Sequence, residues 1–154
     1  MDRDGGFVFL ERNRIMRKRG YLIASLAMLL LLVLSGCKGN KLPDGMDEDE
    51  VSRAGLSVMS QLTKGEYEAV YDALREDVRE QTSAAAIEKM MTDATDGLGA
   101  YQKVTDSMAT GVTKKDMEPH GIAVLRTKFG SKVVMFRIAF DTDMELIGLD
   151  VRRK

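Results

Sequence analysis

Three observations on this chain of 154 residues predict an α+β domain. Apolar side chains recur at helical spacing in three successive runs between Val51 and Ala94, as in amphipathic helices that bury one face. After Gly99 the apolar period shifts to two, the pattern of half-buried strands. Short breaks rich in Gly and Asp separate those later runs, which predicts hairpins and an antiparallel meander. The expected architecture is two or three N-terminal helices packed on a curved antiparallel sheet of about four strands, cone-like in outline. The domain is expected over residues 50–154.

The first helical run places Val51, Ala54, Gly55, Val58, Met59 and Leu62 on one face, and Lys64-Gly65 breaks it. The acidic stretch DEDE, residues 47–50, suits the positive end of a helix dipole. The second run repeats the spacing with Tyr67, Val70, Tyr71, Leu74 and Val78. Thr82 and Ser83 are candidate N-caps for the third. Its face is Ile87, Met90, Met91 and Ala94, and Gly97 and Gly99 end it.

Among the strands, AYQKVTDSMAT from Ala100 has the weakest pattern. GIAVLRTKF, residues 121–129, and SKVVMFRIAF, residues 131–140, are clearer. In the latter, Val134, Phe136, Ile138 and Phe140 share a face. Gly130-Ser131 makes a two-residue hairpin turn between them, because Gly accepts the positive φ such turns need. Asp141-Thr142-Asp143 is a second turn, and ELIGLDV is a last strand with Ile147, Leu149 and Val151 on one face.

Charge is unevenly spread. Residues 1–36 hold six basic and three acidic side chains, which leaves 17 basic against 21 acidic from Cys37 onward. A mildly acidic domain argues against nucleic acid, whose phosphates need a basic face. The single cysteine excludes an internal disulfide and a multi-cysteine metal centre. No phosphate-binding glycine loop and no Gly-x-Ser-x-Gly elbow occurs. No cofactor, metal or catalytic motif is expected, and the domain is not expected to be an enzyme.

That cysteine, Cys37, has an informative setting. The cluster Arg17-Lys18-Arg19 precedes a run from Leu22 to Leu34 that is apolar except for Ser25. The run is short for a membrane span of about 20 residues. Positive, apolar, then small residues is the layout of a secretory signal. Leu34-Ser35-Gly36-Cys37 resembles the lipobox of bacterial lipoproteins. The resemblance implies that Leu34, Ser35 and Gly36 are read by a signal peptidase and that Cys37 receives a diacylglycerol. Stable anchoring takes two acyl chains where one is marginal. The expected localisation is the extracytoplasmic face of a cell membrane, with residues 1–36 as signal peptide. Starting at Met16 gives a compact signal without the acidic residues of the first 15. Residues 37–49, with Gly39, Pro43 and Gly45 among polar side chains, are expected as a flexible lipid-anchored linker.

Four side-chain groups are candidates for chemistry. His120, the one histidine, has a side chain suited to general-base catalysis. The competing reading is a solvated turn histidine beside Pro119. Asp141, Asp143 and Glu145 alternate as cation ligands do, but solvated acids at a hairpin tip are the expected reading. Asp150 interrupts an apolar strand and becomes a buried acid only if that face lines a pocket. The basic groups Thr113-Lys114-Lys115 and Arg152-Arg153-Lys154 read as solvated loop and tail, with anionic lipid as the alternative contact.

LTKGEYEAVYDAL, then GLGAYQKV, then a strand pair, then FDTDMELIGLDV resembles a family of small domains of unknown function in bacterial lipoproteins and secreted proteins. Those domains are similar to the nuclear-transport-factor-two-like, cystatin-like cone fold. The resemblance implies a pocket between sheet and helices that relatives use for catalysis, for ligands or for dimerisation. In such a pocket Tyr67, Tyr71, Phe136 and Ile138 would be lining residues, and the same four are expected core. The leading expectation is an envelope lipoprotein whose domain binds a protein partner or small ligand. The rivals are an enzyme using His120 or Asp150 and a structural homodimer.

Overall fold

A computed structural model describes residues 39–154. The signal, the lipobox and Cys37 lie outside the described residues. Helix α1, Glu48–Lys64, begins where Asp47 accepts the Glu50 N–H at 2.9 Å, with Glu48, Asp49 and Glu50 in its first turn. It stops at Gly65, whose φ of 78° lets its N–H turn back to carbonyls of the last turn. The buried face is Val51, Gly55, Val58, Met59 and Leu62.

The second helical run is divided. Helix α2 spans Tyr67–Asp72 and α3 spans Glu76–Arg79. Between them the Arg75 N–H donates to the Leu146 carbonyl at 2.9 Å, and Leu74 forms a parallel bridge with Leu146. That tertiary bond takes the backbone out of helical pairing although the apolar spacing continues. Helix α4, Ala84–Thr95, is capped by Ser83, which accepts from the Ala86 N–H.

Four strands follow: β1 Tyr101–Val112, β2 His120–Phe129, β3 Lys132–Asp141 and β4 Leu146–Arg153. They form an open antiparallel sheet in the order β1-β2-β3-β4. Phe129 pairs with Lys132 across the Gly130-Ser131 turn, and Gly130 has φ 52°. One face of the sheet carries Ala123, Leu125, Val134, Phe136, Ile138 and Val151 into a core shared with all the longer helices. Thr127, fully buried among them, donates to the Val134 carbonyl at 2.9 Å. A register irregularity between Ala139 and Phe140 changes the phase of β4. Leu146, rather than Ile147, therefore joins Val151 in the buried core.

The linker expectation for residues 37–49 needs correction over its described part, because the packed unit begins at Gly39. The Gly111 N–H donates to the Asn40 carbonyl at 2.9 Å, and the Asn40 N–H donates to Thr110 Oγ1 at 2.9 Å. Pro43 is buried, and Leu42 and Met46 pack against the core. Polar composition implied solvation, but two apolar side chains and an unpaired strand edge were sufficient to dock the segment.

Candidate functional site

The polar cluster around Arg75 is built where three turns meet. Arg75 sits in the α2–α3 junction, Glu118 in the β1–β2 loop and Asp141 at the end of β3. The guanidinium takes Asp77 two-pronged, Nε to Oδ1 at 2.7 Å and Nη2 to Oδ2 at 3.0 Å. It takes Glu118 the same way, at 2.7 and 3.0 Å. Nη1 also donates to Asp141 Oδ2 at 2.8 Å. Each of the five guanidinium N–H groups thus has an acceptor.

Hydrogen bonds to Asp77, Glu118 and Asp141, in that order of weight, hold the Arg75 guanidinium charged far beyond its ordinary range. Reciprocally, the bond to Arg75 keeps the Asp77 and Glu118 carboxyls below their usual values.

Asp141 does a second job. Its Oδ1 accepts the Asp143 N–H at 3.0 Å and the Glu145 N–H at 2.9 Å, closing the β3–β4 turn. The turn holds Met144 at φ 63°. With a side chain only 6 % exposed, Asp141 departs from the solvated hairpin-tip acid that the sequence led us to expect. Its oxygens are committed to Arg75 and the turn, and among the described residues no group of three His, Cys, Asp or Glu is placed to hold a metal ion. The arrangement is a clasp joining the α2–α3 junction, the β1–β2 loop and the β3–β4 turn.

His120 opens β2 beside this clasp, with Asp141 as its register partner on β3. Its Nδ1 lies 2.7 Å from the Glu118 carbonyl, an acceptor, so Nδ1 carries the proton there. Asp150 sits across from Arg137 and accepts from Arg152 Nε at 2.8 Å, on the face away from the core. Phe136 and Ile138 are fully buried core, while Tyr67 and Tyr71 are half-buried against it. The structure thus brings the four aromatic and apolar candidates into one core and sets His120 and Asp150 apart from them. In the basic tail, Arg153 donates to the carbonyls of Asp93, Ala94 and Asp96 at the end of α4, the last at 2.8 Å. Arg75 was missed because its three charged partners lie up to 66 residues away in sequence. The one local signal was the Arg75/Asp77 spacing.

These features define a small α+β domain with helices laid on one side of an open four-stranded antiparallel sheet. Residues 56–149 match the model of a family described as protein of unknown function (DUF3887), and the chain belongs to that family. An NMR structure of a protein from Ruminococcus gnavus ATCC 29149 shares the fold, with a TM-score of 0.60 at 17% identity. The match covers 71% of this chain and 95% of that one. Comparison with curated proteins gave no match.

Proposed function

We propose that this protein is an extracytoplasmic lipoprotein, anchored through Cys37, whose domain is a binding module for a protein partner or small ligand at the cell envelope. The domain is read as nuclear-transport-factor-two-like, and as non-enzymatic. The observation that carries the proposal is the sole cysteine, standing last in Leu34-Ser35-Gly36-Cys37 after a basic cluster and an apolar run. A thiol is the nucleophile that lipid transfer requires. Support for binding over catalysis comes from the acidic side chains beside His120, which are already engaged by Arg75.

The test compares the wild type with Cys37→Ser. The wild type is expected in the membrane fraction, with a mature N-terminus at Cys37 and two or more acyl chains in its mass. Cys37→Ser is expected as soluble or uncleaved protein. Wild-type acylation at no residue, or normal processing of the serine variant, refutes the anchor. A native mass spectrum of the wild-type preparation checks the binding role by mass that is lost on denaturation.

A further inference from the structure

The sheet has a second face. Direct register partners in an antiparallel sheet lie on one side, and the rows between the core rows read Met108, Val124, Arg137, Asp150 and Asp106, Arg126, Met135, Arg152. Among the described residues, the helices pack on the core side. On the other side Met108, Val124 and Met135 are half-buried, and Arg126, Arg137 and Arg152 are exposed. Arg152 is paired with Asp150 at 2.8 Å, which leaves Arg126 and Arg137 against Asp106 in these rows, a net charge of one positive, although the chain from Cys37 onward is acidic. This face is therefore slightly positive on an acidic domain, and its charges surround an apolar patch.

The first described residue lies on this same side. Gly39 lies against the Thr110 side chain, which belongs to the outer row with Ile122 and Ala139. The segment then passes the edge of β1 at Gly111, and Leu42 reaches Gly121 on the core side. Only Lys38 separates Cys37 from Gly39. Two Cα steps span at most about 7 Å, so an acylated Cys37 leaves the domain almost no tether.

We propose that the outer face of the sheet lies on an anionic bilayer surface, with Arg126, Arg137 and Arg152 among the headgroups and Met108, Val124 and Met135 at the interface. The proposal rests on the lipid-anchor reading. Short attachment makes the docking intramolecular, so a weak patch is enough. A second copy is the poorer occupant, since a two-fold interface sets this net-positive patch against itself.

The test uses full-length processed, acylated protein in detergent, in phosphatidylcholine vesicles and in vesicles rich in phosphatidylglycerol. Peroxide oxidation of individual methionines is followed by mass spectrometry. Met108 and Met135 are expected to oxidise several-fold more slowly on anionic vesicles than on neutral ones. Met90, on α4, is expected to be unaffected. The double variant Arg137→Glu, Arg152→Glu is expected to float with the vesicles yet lose the protection. The comparison between lipids needs no variant, so misfolding of the double variant leaves it intact. Floating protein with equal oxidation in both lipids overturns the docked face and leaves the anchor standing. Protein that fails to float overturns both. Protection that rises with protein concentration regardless of lipid identifies a second copy as the occupant and overturns the proposal.

Discussion

Gly55 of α1 lies directly over Ala123 of β2, so closely that a β-carbon at position 55 would overlap the methyl of Ala123. The helix rests on the sheet through this contact, with Val51 and Val58 buried on either side. A glycine inside a helix ordinarily costs about 1 kcal/mol relative to alanine. Here the close approach outweighs that cost.

Gly55→Ala is therefore expected to destabilise by roughly 1–3 kcal/mol, as overpacking does, despite its gain in helix propensity. Ala123→Gly in the same chain is expected to recover much of the loss, because it removes the methyl that the new one meets. Urea unfolding of the two single variants and the double variant reads the coupling. A Gly55→Ala protein more stable than wild type contradicts the packing described.

The clasp gives a graded expectation at Asp141. Asp141→Asn keeps an oxygen for the Asp143 and Glu145 N–H groups but loses the charge facing Arg75. Asp141→Ala loses both. With neutral hydrogen bonds contributing about 0.5–1.5 kcal/mol each, the alanine variant is expected to be the less stable by at least one such bond. Equal losses, measured by thermal unfolding, would show that the turn bonds contribute nothing.

Acid is expected to loosen the same cluster. The ordinary values are 3.8 for Asp77 and 4.5 for Glu118, and Arg75 depresses both in the folded protein. A depressed carboxyl contributes stability above its unfolded value and loses it as pH falls through the folded one. Tm is thus expected to hold from neutrality to about pH 5 and to decline below it. The effect is modest, because the two side chains are 58% and 53% exposed. Glu118→Gln is expected to melt below wild type at pH 7, by a margin that shrinks as pH falls below 4.5. Parallel melting curves across that range contradict the linkage.

Much of the architecture is legible in the sequence because burial repeats at a regular period. The faces Val51/Gly55/Val58/Leu62 and Val134/Phe136/Ile138/Phe140 are both buried as their spacing predicts. The weaker pattern of β1 has a cause, since its first half is largely exposed on both sides. What local spacing does not carry is long-range pairing. The break at Arg75 depends on Leu146, the burial of Asp141 depends on Arg75, and the docking of Asn40 depends on Gly111. Each requires a partner at least 66 residues away, and the side chains involved look like ordinary surface groups.

Consecutive strands pair with their sequence neighbours throughout the sheet, so every hairpin closes over a short loop and can zip in turn. The last strand differs. Leu146 holds the α2–α3 junction, and Arg153 holds the end of α4. A polypeptide delivered N-terminus first can therefore gather helices and hairpins progressively, but the α2–α3 junction and the end of α4 gain these contacts only when the eight residues of β4 arrive. Until β4 is in place the α2–α3 junction and the end of α4 lack these partners, so strand completion and helix docking are one event.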